Sequence, residues 1–339
     1  MRQFDIATGQ PVAARPPLPG HATVLVTGAA GFIGSRVTPL LTGLGCKVVA
    51  VDDLSVGMPL PPASASLVPI VADIRDRDGL AAIFAAHRPD AVMHLAAVHH
   101  IPTCEAKPAL AFDVNVMGTQ SVLDAAAAAG TRDVLLASSG AVYDWRDGPL
   151  GEDDTPLKAR DVYSITKLSN EYQVAGWAER TGSRTRAARL FNTIGTHDPN
   201  GHLIPDILAQ IGSDGRDAIV WLGNTAPRRD YIFVDDIASG LVTLLGGMEA
   251  PFEAFNLCSG VDLSVAELVG VIGDLLSVRV TIETDPSRVR KVDRLQQLGD
   301  PAKMAARFGW RAAWDARAAL AQIMTATGYL AAESVRSAA

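Results

Sequence analysis

Cysteine is scarce in this chain. Cys46, Cys104 and Cys258 are odd in number and too scattered for a disulfide framework or a clustered metal site. They are expected to be reduced thiols in a cytoplasmic protein. An excess of positive charge is lacking too. Lys and Arg total 30 against 37 Asp and Glu, a formal charge of −7, which argues against nucleic acid or a membrane surface as the main partner. Any anionic ligand must therefore be met by local arginines and backbone amides. No uninterrupted apolar run is long enough to span a bilayer. Residues 1–20 lack the apolar core of a signal peptide and end in Arg15-Pro16-Pro17-Leu18-Pro19-Gly20, so they are expected to form a flexible N-terminal extension. Apolar residues, by contrast, are plentiful. At 48% of 339 residues they suffice for a large core, or for one large domain with a smaller lobe.

The most informative stretch is Thr27-Gly28-Ala29-Ala30-Gly31-Phe32-Ile33-Gly34. The β-branched run Ala22–Val26 before it reads as a buried strand, and Ile33, Val37, Leu40, Leu41 and Leu44 after it recur at helical spacing. A glycine-rich turn between strand and helix gathers backbone N–H groups and the positive end of the helix dipole at one point, a site for a dinucleotide's pyrophosphate. Gly28 permits the tight turn, Gly31 lets the backbone approach the phosphates, and Gly34 lets the helix lie close to the strand. Phe32 and Ile33 complete the loop. Three glycines at this spacing are a weak signal alone. The next strand, Lys47–Val51, ends at Asp52-Asp53, about 20 residues on, where an acid binds the adenine ribose. Asp52 there would repel a 2′-phosphate, so NAD is expected rather than NADP.

Strands and helices then alternate in the manner of a doubly wound parallel sheet with ligands at the strands' carboxyl ends. Leu67–Val71 would be the third strand. Asp73 and Ile74 after it either lie beside the adenine or, in the case of Asp73, cap a helix over Arg75–His87. Ala91–Ala97 would be the fourth, and its small residues, with Leu95, Ala96 and Ala97 at the end, let a cofactor pass over it. An alanine-rich helical region from about 106 to 129 is interrupted near Asn115 and Gly118. Asn115 is either an exposed polar residue or, if buried, a holder of water or a cofactor hydroxyl. Val134–Ala137 forms the fifth strand and runs into Ser138-Ser139-Gly140-Ala141-Val142-Tyr143. Tyr163 and Lys167, four apart, share a helix face. His94, His99 and His100 lack a carboxylate or cysteine partner at ligand spacing, so no metal is expected.

Taken together, these motifs resemble the extended short-chain dehydrogenase/reductase family, in particular its nucleotide-sugar epimerases and dehydratases. They are carried by Thr27–Gly34, Val51–Ser55, His94–Ala97, Asn115–Thr119, Ser138–Tyr143 and Tyr163/Lys167, and extended by Arg189–Asn192, Arg229–Ile232 and Phe308–Trp310. The resemblance implies an NAD-binding Rossmann domain over 21–190 and a smaller α/β lobe, mainly substrate-binding, over 191–339, some later segments returning to the first. It implies that Tyr163 is the acid/base, ionised or nearly so with help from Lys167 and the nicotinamide, against a free value near pH ~10. Ser139 would hydrogen-bond the reacting oxygen, and Lys167 would also hold the nicotinamide ribose. In the lobe it points to Asn192, His202 and Leu203 around the sugar diphosphate, Arg229 and Arg290 as pyrophosphate clamps, and Asp293 near the nucleotide ribose. Arg228, Arg288 and Arg294 are left as solvated surface charges. A homodimer through the helices near 106–129 and 161–180 is the implied assembly.

Several chemistries share this scaffold. A 4,6-dehydratase needs an added acid and base just after the Ser/Thr, and a 3,5-epimerase needs a cysteine near 141. Gly140 and Ala141 cannot transfer protons, so both are disfavoured. A 4-epimerase working through a transient 4-ketosugar is the expectation. A 4-ketoreductase or dehydrogenase is the alternative, and Asp52 weighs against it because such enzymes usually draw on NADPH. A non-catalytic NAD-binding sensor would have no need for Ser139, Tyr163 and Lys167 together. Asp235-Asp236 and Asp300-Pro301 read as helix starts, and Ser264–Glu267 as a capping box.

Overall fold

A computed structural model describes residues 21–198, 203–212, 217–246, 248–289 and 294–331. The extension expected over 1–20, and His202, Arg290 and Asp293, lie outside the described residues.

The chain begins with alternation. Strand β1 (Thr23–Thr27) leads through the glycine turn to helix α1 (Gly34–Gly43), then β2 (Lys47–Asp52), β3 (Leu67–Val71), α2 (Arg77–His87) and β4 (Ala91–His94). Short helices α3 (Ile101–Ala106) and α4 (Pro108–Phe112) follow. A π-helical turn over Asp113–Gly118 then feeds α5 (Thr119–Ala129) and β5 (Asp133–Ser139). After the two-residue β6 (Pro149–Leu150) come α6 (Val162–Thr181), β7 (Arg184–Leu190), β8 (Asn192–Ile194), α7 (Leu203–Ile211), β9 (Ala218–Leu222) and β10 (Arg228–Phe233). The remainder is α8 (Val234–Leu245), β11 (Phe252–Leu257), β12 (Asp262–Ser264), α9 (Val265–Leu276), β13 (Val280–Thr284), β14 (Gln296–Gly299), α10 (Ala302–Phe308) and α11 (Ala316–Ala326).

Among the described residues, seven strands form a parallel sheet in the order β11-β7-β5-β4-β1-β2-β3. The order reverses between β1 and β4, and that switch opens a crevice at the strands' carboxyl ends. Both faces are covered. Val24 and Val26 of β1 pack with α1 and α8 on one side. Leu25 between them packs with Leu80, Phe84, Val122 and Trp177 of α2, α5 and α6 on the other. All three β1 side chains are fully buried, which is why β1 reads as a continuous apolar run. Each fully buried Leu or Val contributes about 1.5–3 kcal/mol. α8 and β11, late in sequence, belong to this layer. A second sheet runs β12-β10-β14-β6 with β8 beside β10, and β9 pairs with β13. Strands β8, β9, β10, β12 and β13 share a third core with α7, α9 and α11.

Several local expectations are met by specific bonds, and others are revised. Ser264 and Glu267 form the capping box of α9. The interruption near Asn115 is a π-helical turn. Helix α2 starts at Arg77 and is capped by Asp76, whose carboxylate accepts from Gly79 N. Asp73 is therefore no cap; it is bound by the Arg75 guanidinium instead. Asp235 and Asp236 sit in the first turn of α8, but the buried Asp236 carboxylate accepts from Ala313 N and Trp314 N, both at 3.0 Å, and ties down the chain before α11. Arg294 is the clearest revision. Instead of a solvated surface charge it is 6% exposed, donating to Gln296 O, Gly140 O and Asp144 O. Burial, with Arg229 nearby, lowers its pKa to about 10. No helix among the described residues is long and apolar enough to cross a membrane. All three cysteines are buried with free thiols.

Candidate active site

The glycine turn is built by close approach. Gly28 has φ +70°, and a Cβ there would stand 2.8 Å from Ala96 N. A Cβ on Gly34 would stand 2.1 Å from Gly28 O and 2.7 Å from Ala29 Cα, so α1 can lie this close to β1 only as glycine. The first turn of α1 has no side-chain cap and no acidic residue. Ser35 N and Arg36 N bond back to Gly31 O and Ile33 O, and the positive end of the helix dipole faces the turn.

Asp52 ends β2 with its carboxylate accepting from Ala30 N at 2.9 Å and Leu54 N at 2.8 Å. Those bonds hold the glycine turn and bend the chain into a left-handed residue at Leu54 (φ 57°). Burial pushes the Asp52 pKa up and the backbone N–H groups oppose it. Beside it, a cavity of about 470 Å³ is lined by Gly28, Gly31, Phe32, Ile33, Gly34, Asp52, Asp53, Asp73, Ile74, Leu95, Ala96 and Ala97. At its far end it reaches Ser139, Tyr163 and Lys167. The cavity thus runs from an acid at the ribose position, over a helix N-terminus, to a phenol and an amine. That form and donor set fit NAD.

Asn115 does not line this cavity. It is buried, and its amide accepts from Val98 N at 2.7 Å while donating to Val98 O and Thr166 Oγ1. It latches the loop after β4 to α6. His94 is locked as well. Thr119 Oγ1 donates to Asn115 O, so it accepts from His94 Nε2–H, and Thr27 Oγ1 lies 2.6 Å from Nδ1. Burial, then the Lys167 charge, lowers the His94 pKa to about 3 from 6.5. Between those values the unfolded chain binds a proton here that the folded chain refuses. This contribution is full above pH 6.5 and is lost as pH falls toward 3, at about 1.4 kcal/mol per pH unit. Urea midpoints should therefore drop on acidification from pH 6.5, and less steeply in His94→Asn.

At the reactive end, Tyr163 and Lys167 share one face of α6, which is started by an Asp161/Ser164 capping box. The Ser139 side chain accepts from Ala141 N at 3.1 Å and lines the same end of the cavity as the Tyr163 phenol, whose pKa it acts to lower. Lys167 Nζ donates to Ala137 O at 2.8 Å and lies 5.9 Å from the centroid of the phenol ring. In the protein alone, burial dominates: it pushes Tyr163 up to about 12 and Lys167 down to about 8. An ionised phenol at neutral pH therefore needs a further positive charge in the cavity.

A second cavity of about 560 Å³ lies against the smaller lobe, lined by Asn192, Leu203, Arg229, Tyr231 and Arg288 among others. Arg229 is held by bonds to Arg228 O and Arg294 O. Arg288 pairs with Asp206 at 2.6 Å. His100 and Thr193 line both cavities, so the two lie side by side. Ser55, Val56, Arg75, Thr103 and Thr193 of the first cavity escaped the sequence reading. Ser55 stood inside a quoted motif; the others carried no local signal.

Fold and site together define a dinucleotide-binding α/β protein with a Tyr-x-x-x-Lys pair at one end of its cavity. The model of the NAD dependent epimerase/dehydratase family matches residues 24–258. UDP-glucose 4-epimerase 2 of Oryza sativa subsp. japonica is 32% identical over 86% of this chain and 78% of its own. The crystal structure of a UDP-glucose 4-epimerase with UDP-glucose from Thermotoga maritima superposes with a TM-score of 0.82, at 25% identity, over 90% of this chain and 98% of that one. MoeE5 in complex with UDP-glucuronic acid and NAD gives 0.80 at 29% identity, covering 91% and 100%. The chain belongs to the NAD dependent epimerase/dehydratase family, and its cofactor is NAD.

Proposed function

We propose that this protein is an NAD-dependent nucleotide-sugar 4-epimerase, with a UDP-hexose as the first substrate to test. The observation that carries the reading is the adjacency of the two cavities at His100 and Thr193. A sugar diphosphate gripped at Arg229 can extend past His100 and Thr193 to the Ser139/Tyr163/Lys167 group. Gly140 and Ala141, next along from Ser139, offer no proton-transfer group for dehydration. The names of the relatives favour the uridine nucleotide.

In this reading Tyr163 takes the proton of the sugar 4-hydroxyl while Ser139 hydrogen-bonds the same oxygen. Lys167 supports the phenolate and holds the cofactor ribose. When bound, NAD supplies the hydride acceptor at the Tyr163 end and returns the hydride. Arg229, with Arg290 as a second clamp and Asp293 at the nucleotide ribose, keeps the diphosphate fixed. The 4-ketosugar turns over in place, aided by Asn192, His202 and Leu203. A tethered intermediate cannot diffuse away, yet its ring remains free to rotate.

Denaturing the purified protein and identifying the released nucleotide is the first test. NAD(H) released without added cofactor, together with interconversion of UDP-glucose and UDP-galactose, is the expected result. Exchangeable NADPH and one-way reduction of a 4-ketosugar would support the ketoreductase reading instead. We propose further that the helices near 106–129 and 161–180 pair two copies. Phe112, Met117, Ile165 and Tyr172 are exposed there. Sedimentation should give a dimer, and Met117→Glu with Tyr172→Glu should give a monomer.

A further inference from the structure

Three residues of α6 face the end of β5 as a ladder. Tyr163 lines the first cavity beside Ser139, Lys167 donates to Ala137 O at 2.8 Å, and Glu171 accepts from Ser138 Oγ at 2.5 Å. Spaced four apart, they share one helix face. The first two belong to the reacting group. Glu171 does not line either cavity and is 3% exposed. Behind it Arg189 of β7 grips both carboxylate oxygens, Nε to Oε1 at 3.0 Å and Nη2 to Oε2 at 2.8 Å. Arg189 Nη1 also donates to Tyr143 Oη, which donates to Asn256 Oδ1 of β11. The chain of bonds ends where Asn256 Nδ2 donates to Leu150 O at 2.7 Å.

Stability does not account for this pair. Both side chains are 4% exposed, and removing two charges from water costs several kcal/mol per ion before their attraction offsets it. Apolar side chains of equal volume often serve a fold as well or better. What they cannot do is accept a hydroxyl. Glu171 holds the Ser138 hydroxyl at one point, and Ser138 precedes Ser139 on the same extended backbone, so fixing one limits the other.

We propose that Glu171, clamped by Arg189, is a positioning residue that acts through Ser138 Oγ to keep the Ser139 hydroxyl against the Tyr163 phenol. The inference rests on the reading of Ser139 and Tyr163 as reacting groups. Displacements on the order of 1 Å in such a group cost up to about 10²-fold in rate.

Ser138→Ala removes the hydroxyl and leaves the Glu171–Arg189 pair intact. In the full-length, NAD-loaded protein assayed with UDP-glucose, kcat should fall about tenfold or more. KM, bound NAD and Tm should stay at wild-type values. Ser138→Thr, which returns a hydroxyl, should recover most of the rate. The double variant Glu171→Met/Arg189→Met should keep fold and NAD but lose kcat as Ser138→Ala does. Wild-type kcat in Ser138→Ala, no recovery in Ser138→Thr, or a loss that merely tracks lost NAD or a lower Tm would overturn the inference. A wild-type protein inert toward every sugar nucleotide would overturn the enzymatic reading itself, and the inference with it.

Discussion

Replacing Tyr163 by Phe should lower turnover by on the order of 10²–10⁴-fold while bound NAD is retained. The substitution removes one oxygen and keeps the ring that closes the cavity, so binding and chemistry separate cleanly. In the protein alone that oxygen sits where burial raises its pKa to about 12, and the same burial lowers Lys167 to about 8. A phenol and an amine pushed toward their neutral forms become an acid/base pair once a positive charge enters the cavity. No neighbouring group substitutes for the oxygen: Lys167 Nζ is committed to Ala137 O, and Gly140 and Ala141 carry no titratable atom. Steady-state kcat with UDP-glucose and the nucleotide released on denaturation measure the two quantities. Near-normal turnover in Tyr163→Phe would refute the role assigned to the phenol.

Gly34→Val should abolish NAD retention, and activity with it. The added carbons meet Gly28 O and the Ala29 backbone rather than a side chain that could swing away. Helix α1 must then retreat from β1, carrying its N-terminal N–H groups away from the pyrophosphate. Overpacking of this kind costs about 1–3 kcal/mol, so the fold is expected to persist with a lowered Tm. Released nucleotide per chain and circular dichroism would separate the two effects. A Gly34→Val protein that keeps stoichiometric NAD would contradict the assignment of this turn.

Residues whose role is local were the readable ones. The glycine turn, the acid ending β2, the capping box at Ser264 and the Tyr163/Lys167 spacing depend on neighbours within a turn or two of chain. Their backbone conformation and dipole are therefore encoded beside them. Asp73 shows the limit even at short range. A cap three residues along, Asp76, satisfied the helix N-terminus first, and Arg75 took the Asp73 carboxylate.

By itself the amino-acid order determined the alternating α/β architecture, the cofactor and the shared helix face of Tyr163 and Lys167, because short-range backbone geometry and helix periodicity decide these. Only the tertiary structure decided that Arg294 is buried against the loop after β5 and that Asn115 is a latch. It alone joined Glu171 to Arg189 and set the two cavities side by side at His100 and Thr193. Each of these depends on which strands lie side by side in the sheet and how the smaller lobe packs on it. A charged residue's solvation is set by the partners that packing delivers, not by its sequence neighbours.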